Sequence, residues 1–175
     1  MIKQDTLENQ VNTAYLGIGS NLGNKIVNIE KAKCLLVFNS INIIKCSSHY
    51  ESPSWPNLKY PSYCNIIIKI KTNLTPSELF IKIKKIEQSL GRVKTKKNMP
   101  RTCDIDIIDF NGKNIFFKIN NKFIDIPHLR LTERNFVLIP LFEIDKKWLH
   151  PKNKKKISHL INKLSVNSLS SIKQI

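Results

Sequence analysis

The sharpest chemical signal in this 175-residue chain is a pair of carboxylates two residues apart, in Pro100-Arg101-Thr102-Cys103-Asp104-Ile105-Asp106. On a strand, residues i and i+2 share a face about 7 Å apart at Cα, so Asp104 and Asp106 can hold one hard cation or bracket two. Magnesium bound by so few carboxylates keeps positions open for phosphate oxygens. Arg101 projects just before the pair, and its planar guanidinium fits phosphate better than an ammonium does. The bland alternative is an exposed strand face bearing two acids. Against it, Ile105, Ile107 and Ile108 mark a core strand, where like charges repel unless a cation intervenes. Arg92 and Lys94 open a stretch, Arg92 to Asn98, that has four basic residues and no hydrophobic pattern. It reads as a surface loop, either simply solvated or able to reach a polyphosphate. His128 after Pro127 is a structural residue or a phosphate donor, and Arg134 joins this cluster only if the chain turns back.

Other patterns are excluded. Gly17, Gly19 and Gly23 match neither GxGxxG nor GxxxxGK[ST], which removes the Rossmann and P-loop readings. Cys34, Cys46, Cys64 and Cys103 are scattered without zinc spacing and read as packed thiols. The net charge of +16 invites a nucleic-acid reading, but lysine runs along the whole chain rather than in a stripe. No apolar run approaches the ~18 residues that span a bilayer, and no cleavable leader is evident. The expectation is a soluble, cytoplasmic protein.

The elements that must position these residues follow from periodicity. Thr13 to Gly19 reads as a strand, followed by a turn and a helix with Leu22, Ile26, Ile29, Ala32 and Leu36 at three- and four-residue spacing. Ile41 to Tyr50 reads as a strand, and Glu51 to Ser62, with three prolines, as an ordered loop. In Tyr63 to Lys71, Ile66, Ile68 and Ile70 share one face, so Tyr63 and Asn65 project together from the other. Thr75-Pro76-Ser77-Glu78 is a capping box opening a helix that Gly91 ends. Arg101 to Phe110 reads as a strand joined by an Asn111-Gly112 hairpin to Ile115 to Phe117. Phe123 to Ile126 reads as a strand and Glu133 to Glu143 as a helix despite Pro140. A short helix is expected from Ile157 to Leu164, with the last ten residues frayed. One domain has room for everything. The division is an N-terminal extension over 1–12, a catalytic domain over 13–150 and a lysine-rich segment over 151–175 that belongs to the domain or frays. Mixed strands and helices with a hairpin argue for an α+β sandwich with a largely antiparallel sheet.

Taken in order, several motifs resemble the hydroxymethyl-dihydropterin pyrophosphokinase family. They are Gly19-Ser20-Asn21-Leu22-Gly23, Ser47-Ser48 with Tyr50, Tyr63 with Asn65, Glu87 with Gly91-Arg92, Pro100-Arg101-Thr102 with Asp104 and Asp106, Pro127-His128, Arg134 and Pro140-Leu141-Phe142-Glu143. The likeness runs from about Tyr15 to Ile144. It implies a ferredoxin-like α/β sandwich with helices packed on the sheet, and transfer of the β,γ-pyrophosphoryl unit of ATP to a pterin hydroxymethyl group, releasing AMP, in folate biosynthesis. It also implies two Mg2+ ions on Asp104 and Asp106, with Arg92 and Arg101 as the other catalytic residues. ATP would meet Glu87, Arg92, Lys94, Arg101, Ile107, His128 and Arg134. The pterin would stack between Tyr63 and Phe136, with Asn65 on its polar edge and Ser52, Pro53 and Trp55 completing the pocket. Lys84 stands where the family frequently has glutamine. No nucleic acid, membrane or obligate protein partner is implied.

Two rival readings remain at this stage. One is a basic α+β module binding nucleic acid, with aromatics for bases and lysines for the backbone. The other is a nucleotide-binding relative without catalysis. Loss of Asp104 or Asp106 would abolish magnesium-dependent transfer but spare single-strand binding.

Overall fold

The computed structural model describes residues 11–92, 99–119 and 121–175. Alternating apolar residues make β1 (Asn12–Ser20) and β4 (Tyr63–Thr72), which pair antiparallel at the centre of the main sheet, Gly17 opposite Ile67 and Gly19 opposite Asn65. Outside β1 lies β5 (Asp104–Phe110); outside β4 lie β2 (Asn42–Cys46) and β3 (Tyr50–Ser52). Helix α1 (Lys25–Phe38) connects β1 to β2, and α2 (Pro76–Ser89) connects β4 to β5. The sequence of β1, α1, β2, β4, α2, β5 in spatial order β5-β1-β4-β2 is the ferredoxin-like arrangement, antiparallel throughout.

Local chemistry sets the helix limits. Asn24 caps α1 by accepting from the Val27 amide at 3.2 Å. Thr75 and Glu78 form the expected reciprocal capping box on α2, and Gly91 follows the helix at φ 81°. Both helices cover one face of the sheet, where Leu16, Ile18, Ile29, Leu36, Ile66, Ile68, Leu79, Ile83 and Ile105 are buried in the main core. The other face is covered by α3 (Asn135–Ile144), which buries Val137, Leu138 and Leu141 against Tyr15, Ile67 and Ile108. Pro140 is accommodated within α3.

Four expectations need correction. The strand expected over Ile41 to Tyr50 is divided into β2 and β3, because Ser47 leaves the ladder and its hydroxyl accepts the Ile67 amide at 3.0 Å. Strand β5 starts at Asp104, three residues late, because Asn21 holds the approach: its Oδ1 accepts the Arg101 amide and its own amide donates to the Arg101 carbonyl. Asn111 and Gly112 form the expected turn, both at positive φ, but β6 (Ile115–Ile119) does not extend along β5; it pairs with β7 (Lys122–Ile126) in a separate sheet. The outer edge of β5 is occupied by α2 side chains: the Ile105 amide donates to Glu87 at 2.7 Å, and Lys84 donates to the Ile105 carbonyl at 3.4 Å. The fourth correction concerns the C-terminus. After α4 (Ile157–Ile161), the last ten residues form α5 (Val166–Ser170) and β8 (Lys173–Gln174), and β8 adds to the sheet against β3.

Candidate active site

Helix α3 covers only part of its face. Beyond it, the same strands floor an open cleft of about 1420 Å³, large enough for two small-molecule substrates side by side. The floor is legible in register. Asp104, Gly19 and Asn65 form one row across β5, β1 and β4, with Tyr63 beyond, and Asp106, Gly17 and Ile67 form the next. Gly19 is required by its neighbours: a Cβ there would lie 2.9 Å from Asn65 Oδ1. The bare backbone between Asn65 and Asp104 leaves space for a ligand.

Both carboxylates open to the cleft, with side-chain exposures of 27% for Asp104 and 39% for Asp106. Arg92 Nη1 lies 2.7 Å from Asp104 Oδ1 and also pairs with Glu87, while Arg101 Nη1 lies 3.0 Å from Asp104 Oδ2. The 3₁₀ turn Leu131–Glu133 brings Arg134 back to Asp106 at 3.5 Å, so the chain does turn as the cluster requires. The two acids differ electrostatically. At Asp104, desolvation at the cleft floor is outweighed by Arg101, Arg92 and Lys84, which hold its carboxyl below the usual range. Desolvation and then the Asp104 charge push Asp106 up, against Lys84, His128 and Arg134. Glu87 is raised by burial, partly offset by Lys84, and burial lowers His128, with Arg134 adding to it.

The other end of the cleft is aromatic and flat-walled, with the Arg134 guanidinium over the Phe136 ring at 5.6 Å. Asn65 donates to Ser52 Oγ at 2.9 Å, which leaves its carbonyl oxygen facing Gly19. Tyr63, Phe136, Pro53 and Trp55 line the walls. Of the residues singled out in the sequence, Arg92, Arg101, Asp104, Asp106, Glu87, His128, Arg134, Ser52, Pro53, Trp55, Tyr63, Asn65 and Phe136 all line this one cleft. Lys94 lies outside the described residues. Ile107 does not join them: its side chain belongs to the main core on the opposite face, as alternation from Asp106 demands.

The sequence assigned no role to four residues that line the cleft, Lys84, Arg130, Ser168 and Ser171. Lys84 enters the cleft while pairing with Glu87 at 2.9 Å, from the helix position i−3 that brings the two together. Arg130 lays its guanidinium over the Trp55 ring at 4.5 Å and so joins the loop after β7 to the loop after β3. Ser168 and Ser171 reach the cleft from the C-terminal segment, and no local pattern announces them. Alternate glycines within one strand, Gly17 and Gly19, were the available signal for a bare sheet surface.

Among the described residues no cluster of three or more His, Cys, Asp or Glu forms a self-sufficient metal cage. Magnesium needs none, because it binds through one or two carboxylates together with water and substrate phosphates. The Asp pair, ringed by guanidiniums suited to phosphate, fits that demand.

Comparison with known proteins gives concordant matches. The family model described as 7,8-dihydro-6-hydroxymethylpterin-pyrophosphokinase (HPPK) matches residues 15–146. A 2-amino-4-hydroxy-6-hydroxymethyldihydropteridine pyrophosphokinase of Aquifex aeolicus is 40% identical over 139 residues, 79% of this chain and 84% of that protein. Its counterpart in Haemophilus influenzae is 33% identical over 154 residues, 87% of this chain and 93% of that protein. Among solved structures, a Plasmodium falciparum HPPK-DHPS triple mutant with pteroate matches with a TM-score of 0.77 at 19% identity, a likeness of fold. That match covers 97% of this chain, which spans about half, 48%, of the Plasmodium chain.

Proposed function

The chain belongs to the 7,8-dihydro-6-hydroxymethylpterin-pyrophosphokinase family, and from that premise we propose how its cleft moves pyrophosphate from ATP to a pterin alcohol. The reaction is the ATP-dependent step of folate biosynthesis in which the hydroxymethyl oxygen attacks the β-phosphorus. The bond from that phosphorus to the α,β-bridging oxygen breaks, AMP leaves, and the hydroxyl proton is released. The single observation that carries the residue assignment is the division of one cleft into a charged end built on the Asp pair and a flat, aromatic end, with Gly19 between them.

ATP occupies the charged end. Arg92, Arg101 and Arg134 neutralise the Asp pair in the free protein and pass to the triphosphate when substrate and cation enter. Held by Asp104 and Asp106, magnesium, for which we propose two ions, would supply Lewis-acid neutralisation of the triphosphate and orient the attacking hydroxyl. Charge spread over the transferred group is met by Arg92 and Arg101, so they act on turnover more than on binding. Lys84 and His128 add donors to the same end. Ile107 serves ATP through its backbone at the outer edge of β5, since its side chain is in the core.

The pterin occupies the aromatic end. Its ring stacks between Tyr63 and Phe136, and Asn65, which can donate and accept at once, reads the lactam edge beside Ser52. Pro53 and Trp55 close the mouth. Trp55 is 64% exposed in the free protein, which leaves it available to cover a bound ring. Positioning the hydroxymethyl carbon over Gly19 brings its oxygen toward the Asp pair, and that proximity is a large part of the catalysis. Lys94, outside the described residues, completes the ATP contacts in this reading, and the reaction belongs to the cytoplasm.

AMP formation from ATP and magnesium, with and without reduced hydroxymethyl pterin, tests this in the wild type and in Asp104→Ala. Pterin-dependent AMP in the wild type alone is the expected result. Equal AMP from Asp104→Ala would remove the carboxylate pair from the mechanism.

A further inference from the structure

The C-terminal segment is ordered without being held by a core of its own. Helix α5 contributes no buried residue, and Val166 is 81% exposed. What fixes the segment is largely polar, its Leu169 and Ile172 being only half-buried. Asn135, buried at the start of α3, donates from Nδ2 to the Ser168 carbonyl at 2.5 Å and to Ser171 Oγ at 3.1 Å. The same side chain accepts the Phe136 amide at 2.6 Å, and Ser171 Oγ donates to the Ser168 carbonyl at 2.8 Å. Further on, β8 pairs with Tyr50 and Glu51, next to Ser52; Gln174 donates to Ser48 Oγ, and the Ile175 amide to the His49 carbonyl. The segment therefore runs from the helix start that carries Phe136 to the strand that carries Ser52. Ser168 and Ser171 face the cleft on the way.

We propose that residues 165–175 form the back wall of the pterin end of the cleft, clasped by Asn135, which is thereby a positioning residue for Phe136. The inference rests on the assignment of that end to the pterin. A segment present only to complete the core would bury apolar side chains fully, and in α5 none is, Leu169 being only half-buried. Asn135 joins the stacking residue's own backbone to the tail through one side chain, so a loosened tail releases Phe136 from its fixed place. ATP, at the other end, is indifferent to it.

The test measures binding of 6-hydroxymethylpterin in the presence of magnesium and a non-hydrolysable ATP analogue, and binding of the analogue alone. The proteins are the wild type, a variant ending at Leu164, Asn135→Asp and Phe136→Ala. Asn135→Asp keeps an acceptor for the Phe136 amide but has no donor for Ser168. The expected result is a roughly tenfold loss of pterin affinity in the truncated chain and in Asn135→Asp, the scale of one or two lost hydrogen bonds, with nucleotide affinity unchanged. If Phe136→Ala weakens pterin binding while neither of the other variants does, the proposal falls and the pterin assignment stands. If Phe136→Ala binds pterin as the wild type does, the pterin assignment fails and takes the proposal with it. Should the truncated chain not fold, amide exchange in wild-type 165–175 decides the matter. Exchange slowed by pterin and not by the nucleotide analogue alone upholds the back wall; exchange unaffected by pterin overturns it.

Discussion

The two ends of one sheet face differ sharply in chemistry although the same three strands build both. Under α3, the row Asp109, Tyr15 and Lys69 crosses β5, β1 and β4; two rows away, beyond the helix, stand Asp104, Gly19 and Asn65. In the covered half, the polar groups of this row have protein partners. Trp148 Nε1 donates to Asp109 at 2.6 Å, Tyr15 donates to Asp145 at 2.5 Å, and Lys69 lies 3.7 Å from Asp145. In the open half, guanidiniums lie against carboxylates in an arrangement that a cation and a polyphosphate can replace. A β-bulge marks the change. The register of β5 against β1 slips between Tyr15 and Leu16, so that Ile108 has no partner and both Ile108 and Asp109 serve the α3 side, while Asp106 and Asp104 serve the cleft. The lesson is that a site can be made by leaving part of a sheet uncovered, provided the residues left bare pair more weakly with one another than with a ligand.

The largest effect that separates the halves is on turnover. Asp106→Ala is expected to lower kcat by about a thousandfold or more, the scale of several kcal/mol of lost charge stabilisation, while the thermal midpoint holds or rises. A tenfold loss or less would mean that one carboxylate suffices. Arg101→Ala comes next, with kcat down by about a hundredfold and a smaller change in the KM for ATP; a change confined to KM would make it a binding residue. Across the sheet, Leu16→Ala should cost about 2–5 kcal/mol of stability by denaturant unfolding and leave the turnover of the folded enzyme intact. Comparable loss of turnover there would erase the distinction between faces. Gly19→Ala sharpens the boundary: its Cβ displaces Asn65 and weakens its bond to Ser52, so pterin affinity drops roughly tenfold with little change in stability. Gly17→Ala meets only the flexible ends of Ile67 and Ile108, at 3.3 and 3.4 Å, and should bind pterin nearly normally.

The smallest expected effect is pH-dependent and lies far from the cleft. Burial lowers the pKa of His150, whose Nδ1 accepts the Lys152 amide at 3.2 Å and the Asn153 amide at 3.4 Å. Below the ordinary histidine value of about 6.5, the unfolded chain takes up a proton that the folded chain resists. Stability should therefore fall as pH drops through that value toward the lower folded one, and His150→Gln should flatten this part of the pH-stability profile. An unchanged slope would show that His150 accepts its proton without loss of structure.

Periodicity and local chemistry decided much before any tertiary contact formed. The 3.6- and 2-residue periods of α2 and β4, the Thr75 capping box and the Asn111-Gly112 turn depend on neighbours within a few residues, so they could be read directly. Asp104 and Asp106 share a face for the same reason, because strand alternation is local. The place of Ile107 on the opposite face follows equally from that rule, and only an argument by likeness set it against a ligand. Tertiary structure decided the rest. That β6 leaves β5 depends on Glu87 and Lys84 of α2 occupying the edge, and that the C-terminus is ordered depends on Asn135, 33 residues before Ser168, and on β3, more than a hundred residues before Gln174. The extent of the cleft depends on how far α3 reaches along the sheet. Such features are set by which distant surfaces meet, and a single chain read in sequence carries the residues that can meet without the geometry that brings them together.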